Sequence, residues 1–379
     1  IENNYIQSFI NKKNVNLTII GPEGPLASGI VDYLEKLNIP VFGPTKDGAK
    51  LESSKIFAKK FMNEFEIPTA KYKVYHSYHH AIEGLKEWDI SQGIVIKADQ
   101  LAQGKGVVVT EKLTEAKETI WNFFENPNCK IKCSSILIEE KLIGKEVSAF
   151  AICDGTNFIP IGYACDYKRL KNNNLGPNTG GMGCYTPTNW PSSSQKKYIE
   201  QEVFFKVMNG MQKLNIPFKG ILFAGLIINE NSINVIEFNV RFGDPEAQVL
   251  MPIIKKDLLP YLQGSISGNL DTLDKKIVDD SLHAVHIVMT SDGYPTIDNT
   301  PMNLKNIISN KTNLNHDEQT HLFYSGVKLK GKNLVNSGGR VLGVTGISES
   351  FDEARIIAYK NINNITFNGS YFRTDIGIL

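Results

Sequence analysis

The chain has 379 residues, 41% hydrophobic and 21% charged, with a formal net charge of +1. That length suggests two or three domains, and the composition is that of a soluble globular protein. Near-neutral charge argues against nucleic-acid or membrane partners, so any anion site must be a local arrangement.

In chain order, Tyr5, Ile6, Phe9 and Ile10 recur at helical spacing, and residues 17–20 form a short strand of buried type. Gly21-Pro22-Glu23-Gly24-Pro25 reads as a rigid turn after it. A second helix carries Ile30, Val31, Leu34 and Leu37 and leads to strand Val41-Phe42. Strand, helix, strand with short turns is a doubly wound parallel pattern, whose ligands bind beyond the strand C-termini. Glu23 stands at such an end. Few strands remain to complete that sheet and residue 1 is Ile, so the expectation is a truncated N-terminal α/β unit. Ser53-Ser54 caps a helix whose Phe57, Phe61 and Phe65 share one face and which Pro68 ends. Lys55 lies in its first turn, where a cation opposes the helix dipole, a small cost that suits a lysine facing an anion.

From about residue 70 to 155 the pattern is a mixed unit: strands 93–97 and 107–109, helix 114–124, then strands 135–140 and 146–152. Residues 172–174 and 176–183 make a polar, glycine-rich loop. Helix 194–213 leads to strand 220–228, and a helix near 257–264 precedes a polar junction at 265–281. Strands 283–289 and 340–345 with helix 352–362 form a small α+β closing unit. The domains expected are 1–58, 59–267 and 268–379. No apolar run approaches the ~20 residues that span a bilayer, and the opening has no signal-peptide pattern. The five cysteines include no CxxC pair, so reduced thiols and a cytoplasmic location are expected. His76, His79 and His80 read as a solvated surface cluster rather than a metal site.

The stretch 235–246 carries the most chemistry. Ile236, Phe238 and Val240 alternate with Glu237, Asn239 and Arg241, so a strand there has one apolar face and one polar one. An amphipathic strand with a solvated face is the plain alternative. A carboxylate and an amide oxygen two residues apart suit magnesium, which fills its shell with water and phosphate. Arg241 is placed to clamp a phosphoryl group, and the turn at Gly243-Asp244-Pro245 leaves Asp244 and Glu246 near one another. Lys97 ends a strand, where a buried ammonium calls for an anion. Ala102-Gln103-Gly104-Lys105-Gly106 is too short for a Walker loop but is able to fold over phosphates, or to make a hairpin with a surface lysine. Glu139-Glu140 ends an apolar strand whose edge would offer backbone groups to an adenine, with Glu146 in reach of ribose hydroxyls.

Lys97 with its strand, the glycine loop, Glu139-Glu140 and Glu237-Phe238-Asn239 resemble the ATP-grasp fold, two α+β lobes holding ATP between them. Longer stretches narrow the resemblance to the phosphoribosylamine–glycine ligase (glycinamide ribonucleotide synthetase) family. They are Gly21–Leu26, Phe42–Thr45, Ile96–Asp99, Gly104–Val107, Asp166–Arg169, Gly176–Gly183, Glu237–Glu246 and Asn336–Val341. Their order and spacing match along essentially the whole chain. The fold class implied is an ATP-grasp fold between a truncated, doubly wound parallel N-domain and a small α+β C-terminal domain.

The activity implied is an ADP-forming ligase of purine synthesis, joining glycine to 5-phosphoribosylamine through a glycyl phosphate. By this resemblance Lys55 and Lys97 hold the ATP phosphates under the loop Gly104-Lys105-Gly106, and Glu139, Glu140, Leu142 and Glu146 bind adenosine. Glu237 and Asn239 hold magnesium or manganese, and Arg241 stabilises the transferring phosphoryl. Asp166, Lys168, Arg169 and the loop Asn178-Thr179-Gly180 contact substrate and acyl phosphate, and Asp244 orients the amine. Lys328 and Arg340 grip the ribose phosphate, and Glu23 a ribose hydroxyl. The family begins with a strand and a glycine-rich loop of Gly-Asn-Gly-Gly type that this sequence starts after. The expected partners are small molecules acting on a monomer. Another ATP-grasp carboxylate–amine ligase and a non-catalytic nucleotide-binding protein are the competing readings.

Overall fold

The computed structural model describes residues 3–101, 106–187, 190–295, 302–310 and 318–378. Backbone contacts divide the chain into two units. Unit 1 is 1–160, 192–242 and 257–275; unit 2 is 161–191, 243–256 and 276–379. No helix among the described residues is long and apolar enough to cross a membrane.

The chain opens with α1 (Asn3–Lys13), β1 (Thr18–Ile19), α2 (Glu23–Ala27), α3 (Ile30–Lys36) and β2 (Val41–Phe42). β1 and β2 pair in parallel, as the strand–helix–strand pattern requires. Where a rigid turn was expected at 21–25, the chain turns directly into α2. Pro22 is its N-cap in the extended conformation and Glu23 its first residue, which favours the positive end of the helix dipole. α4 (Lys50–Ser53) then runs to α5 (Lys55–Glu64), whose N-cap Ser54 accepts from the Phe57 N–H. Phe57, Phe61 and Phe65 follow one another down its face, ring to ring.

β3 (Tyr72–Tyr75), α6 (Tyr78–Gly84), β4 (Ile94–Ala98), β5 (Val107–Thr110), α7 (Leu113–Phe124) and β6 (Ile136–Glu140) make a compact lobe. Its sheet has the order β3-β6-β4-β5, all neighbours antiparallel. Two-residue alternation sends Ile94, Ile96, Ile136 and Ile138 to one face, where they pack on Ala116, Ile120 and Phe123 of α7. Lys97 and Glu139 therefore fall on the opposite face. β6 is an interior strand with Glu139 paired to both Tyr72 and Val95, so the expectation of an open strand edge there is wrong.

Past β7 (Lys145–Asp154), β8 (Phe158–Asp166), β9 (Arg169–Lys171), β10 (Leu175–Asn178) and β11 (Gly183–Tyr185), the chain returns to unit 1. There α8 (Ser193–Ile199) continues through a wider turn at Glu200–Phe205 into α9 (Lys206–Lys213). β12 (Lys219–Ile228) pairs antiparallel with both β7 and β13 (Ile233–Asn239). The predicted alternation along β13 is broken by a bulge. Val235 opposes Leu226 and Glu237 opposes Gly225, which leaves Ile236 as the extra residue. Val235, Phe238 and Val240 are buried while Ile236 is half-buried.

Unit 2 continues with α10 (Ala247–Leu250), and unit 1 ends with α11 (Leu259–Ser267), closed by Gly268 in the left-handed conformation. The rest of unit 2 is β14 (His283–Thr290), β15 (Ser309–Asn310), β16 (Thr320–Tyr324), β17 (Val327–Lys330), β18 (Asn333–Asn336), β19 (Arg340–Ser348), α11's counterpart α12 (Phe351–Ile362) and β20 (Ile365–Thr366). Within it β8, β11, β14, β19 and β16 pair in that order, each antiparallel to the next. Val285, Ile287, Val344, Ala354, Ala358 and Ile362 form the centre of its core.

Candidate functional site: two clusters of polar side chains

The first cluster lies in unit 1 and grows from the start of α5 and the end of β4. Asp99, one residue beyond β4, accepts from the Ser54 hydroxyl and the Ile56 N–H, both at 3.1 Å. That carboxylate closes the helix end and fixes Lys55, whose Nζ donates to the Gln100 carbonyl at 3.1 Å. Burial pushes the Lys55 ammonium below the usual lysine range; the nearby Glu237 carboxylate opposes that shift and the Lys97 charge adds to it. Glu237, Lys55 and Lys97 are thus electrostatic neighbours.

Behind them is a buried ionic triad. Lys59 and Lys97 each reach the same oxygen of Glu139, Oε2, at 3.0 Å, and all three side chains are under a tenth exposed. Lys59 also donates to the Thr69 hydroxyl at 2.7 Å, which donates to the Val235 carbonyl at 2.6 Å. Lys97 donates to the Ile236 carbonyl at 3.0 Å. The bulge in β13 thereby gives two successive carbonyls to the lysine network. Burial brings Lys59 down to about 8, with Glu139 opposing the shift. Two ammoniums share one carboxylate oxygen, and Glu140 adds a second negative charge near Lys59. The other carboxylate oxygen, Oε1, is buried without a hydrogen-bond donor among the described residues.

Past the bulge, Glu237 and Asn239 are two apart on β13 and share a face. Arg241 follows them and is already held. Its Nε lies 3.3 Å from Glu23, its NH2 3.1 Å from Glu52, and its NH1 donates to the Phe242 carbonyl at 3.0 Å. Glu52 also accepts the Val240 N–H at 2.9 Å. Burial raises the Glu52 pKa against the pull of Arg241. Arg241 has five N–H donors, and three of them are engaged by these contacts. Of the other residues expected here, Glu140 accepts the Lys71 N–H at 2.9 Å, Leu142 is half-buried and Glu146 is exposed at the start of β7. The Gly106 carbonyl accepts from the Ala98 N–H, whereas Gly104 and Lys105 lie outside the described residues.

The second cluster lies in unit 2. Arg340, first residue of β19, donates through NH1 to the carbonyls of Gly180 (2.6 Å) and Asp244 (2.7 Å). Its NH2 meets the Asp244 carboxylate at 2.7 Å. Asp244, Gly180 and Arg340, given separate roles by the sequence, are in direct contact. The Tyr294 hydroxyl accepts the Gly180 N–H at 2.9 Å. Thr179 grips the Lys168 carbonyl with both its N–H (2.7 Å) and its hydroxyl (2.8 Å). Lys168 lies 4.0 Å from Asp166, and Arg169 donates to the Gly176 carbonyl at 2.9 Å. Asn178 is exposed at the end of β10, opposite Arg169. Lys328 stands exposed on hairpin β17–β18, two residues from Gly326, whose N–H bonds the Arg340 carbonyl. At the turn the two carboxylates differ in burial. Asp244 is exposed, and Glu246 folds back under Gly243 and is buried.

Three family models match in succession: the phosphoribosylglycinamide synthetase N domain over residues 1–52, its ATP-grasp (A) domain over 53–247 and its C domain over 284–378. The chain belongs to the phosphoribosylglycinamide synthetase family. Among its relatives is a phosphoribosylamine–glycine ligase of Caldanaerobacter subterraneus, 37% identical over 98% of this chain and 86% of its own length. The crystal structure of the phosphoribosylamine–glycine ligase of Thermotoga maritima matches with a TM-score of 0.79 at 34% identity, covering 89% of this chain and 81% of that one. A biotin carboxylase of Campylobacter jejuni superimposes with a TM-score of 0.73 at 13% identity, over 97% of this chain and 79% of that one. That last likeness concerns the ATP-grasp fold alone.

Against the phosphoribosylglycinamide synthetase frame, sequence reasoning passed over Glu52, Lys59, Thr69 and Asp99. Glu52 holds Arg241, Lys59 holds Glu139, Asp99 holds the start of α5, and Thr69 ties Lys59 to the Val235 carbonyl. Asp99 stood inside a quoted motif, and its place just after Lys97 was the available signal. Lys59 lies one turn after Lys55, a spacing that puts both on one side of α5.

Proposed function

We propose that this chain is an ADP-forming ligase that joins glycine to 5-phosphoribosylamine, yielding glycinamide ribonucleotide for purine synthesis. The observation that carries the reading is the positively charged cluster of Lys55, Lys97 and Lys59 beside Glu237 and Asn239, within the part of the chain matched by the family's ATP-grasp domain. Lys55 and Lys97 bind the phosphates of ATP, ammonium groups meeting phosphate oxygens in charge-assisted hydrogen bonds. The unpartnered Oε1 of Glu139 is an acceptor that the amino group of adenine would satisfy.

Glu237 and Asn239 offer two hard oxygen donors. Among the described residues no group of three or more His, Cys, Asp or Glu side chains gathers to hold a metal. Two protein oxygens with water and phosphate completing the shell fit magnesium or manganese. Bound there, such an ion would spread the charge of the phosphoryl group in transfer.

The reaction has two steps. An oxygen of the glycine carboxylate attacks the γ-phosphorus, the bond to the bridging oxygen breaks, and ADP leaves with that electron pair. The amine of phosphoribosylamine then attacks the acyl carbon, inorganic phosphate departs, and the new amide nitrogen loses a proton. Carboxylate oxygen is a poor leaving group and phosphate a good one, so the first step makes the second feasible. The protein's share is position and charge. Arg241, held by Glu23 and Glu52, faces the phosphoryl. Thr179 and Gly180 direct the loop to the acyl phosphate, Asp166, Lys168 and Arg169 hold substrate, and Lys328 and Arg340 take the sugar phosphate.

The test is ADP release with ATP, magnesium and freshly made phosphoribosylamine, with and without glycine, followed by mass spectrometry. Glycine-dependent ADP together with the mass of glycinamide ribonucleotide is expected. Glu237→Ala should lower the rate at least about 100-fold, the scale of losing one charge-stabilising group. ADP release that ignores glycine but follows another acid would sink the reading in favour of a different carboxylate–amine ligase.

A further inference from the structure

Arg373 is 0% exposed, and every N–H of its guanidinium is spent inside unit 2. Nε and NH2 donate to the two oxygens of Asp375 at 2.8 and 2.7 Å. NH1 donates to the Arg169 carbonyl at 2.9 Å, and NH1 and NH2 both reach Asn174 Oδ1 at 3.2 Å. The guanidinium also lies over the Tyr167 ring, 4.7 Å from its centroid. Such an arginine has no donor left for a substrate. What it does hold is the backbone at Arg169, in the β9–β10 hairpin that Lys168 and Thr179 flank.

The neighbouring residues complete a clasp. Asn172 and Thr374 bond each other reciprocally, side chain to hydroxyl at 2.6 Å and N–H to side chain at 3.1 Å. Asp375 accepts the Asn173 N–H at 2.8 Å. The Tyr167 hydroxyl accepts the Gly377 N–H at 3.2 Å. Asn173 and Asn174 both have positive φ, 58° and 54°, a conformation that two successive non-glycine residues keep only when their surroundings fix it. Arg373 and Asp375 do the fixing, each touching one of the pair.

We propose that Arg373 is a positioning residue for substrate: it clasps the 167–175 segment to the 371–378 segment and so sets where Lys168 and Arg169 stand. The role of the hairpin in binding glycine or its acyl phosphate rests on the function proposed above. The clasp itself rests on the contacts alone.

The experiment compares wild type with Arg373→Met and Asn172→Ala, reading steady-state constants for glycine and for ATP and amide hydrogen exchange across the chain. Arg373→Met should lower kcat/KM for glycine about 10- to 100-fold, the effect of a misplaced binding group, with KM for ATP unchanged. Asn172→Ala, at the surface, should act in the same direction by roughly 2- to 10-fold, the range for one lost hydrogen bond. Amides of 167–179 should exchange faster in both variants, and those of β4 and β13 at the wild-type rate. Unchanged glycine constants in a folded variant, or an equal loss for ATP and glycine, overturns the proposal. If Arg373→Met does not fold, Asn172→Ala decides. If wild type shows no glycine-dependent turnover, the functional reading fails separately, and unchanged exchange at 167–179 would still disprove the clasp.

Discussion

At the scale of single residues, the Lys59–Glu139–Lys97 triad makes an unequal set of substitutions. Glu139 is the sole carboxylate bridging two buried ammoniums. Removing it leaves two like charges facing each other in a low-dielectric interior, whereas removing Lys59 leaves one cation with one anion. Glu139→Gln should therefore destabilise the fold by about 3–5 kcal/mol, the cost of breaking a buried pair, and Lys59→Met by distinctly less. Urea unfolding of both variants checks the order, and Lys59→Met as the more damaging of the two would refute the charge argument. Lys97 was legible in the sequence because an ammonium ending an apolar strand needs an anion. The anion's identity was not. Glu139 and Glu140 look alike in sequence, and only strand alternation, with β6 in the interior of its sheet, sends Glu139 inward to the lysines.

At the scale of elements, α12 packs closely on β19. A Cβ built on Gly346 would lie 2.1 Å from the Ala354 carbonyl and 2.5 Å from the Ala358 nitrogen. Those are helix backbone atoms and do not give way as a side-chain tip does. Gly346→Ala should cost about 1–3 kcal/mol through overpacking, seen as a lower urea midpoint, while Gly24→Ala offers no comparable clash because nothing lies within 4 Å of that helical glycine. Local signals served well where they were strong. The Ser54 cap, the phenylalanine face of α5 and the parallel β1–β2 pair all stand as the spacing implied. They failed where tertiary pairing decides. The bulge at Ile236 exists because β12 opposes Leu226 to Val235 and Gly225 to Glu237, and nothing in β13 alone announces it. β3 was passed over for the same reason, being a strand whose partner β6 lies far along the chain.

At the scale of the whole molecule, the order of motifs carried the fold while the supporting carboxylates stayed hidden, since Glu52 and Asp99 acquire their roles only once folding delivers Arg241 and the start of α5. The same holds for His286, an ordinary strand residue in sequence whose burial makes stability depend on pH. Its Nδ1 lies 2.8 Å from the Thr345 hydroxyl, and Gly343 leaves room for the ring's other edge. Burial, aided by the Arg340 charge, takes its pKa from 6.5 to about 3. Between those values the unfolded chain binds a proton that the native protein refuses. The stabilisation is therefore complete above 6.5 and is lost progressively as pH falls toward 3. Glu52 works the other way: burial raises its pKa, so the native state takes up that proton first and acidification through its range favours folding. His286 reaches into mildly acidic conditions and Glu52 acts nearer the carboxylate range, so the histidine dominates the first part of an acid titration. Thermal melts at about pH 7.5 and about pH 5 should show a larger loss of Tm for wild type than for His286→Gln, which has no proton to gain. Equal losses in the two proteins would mean that His286 is charged in the native state or reached by water.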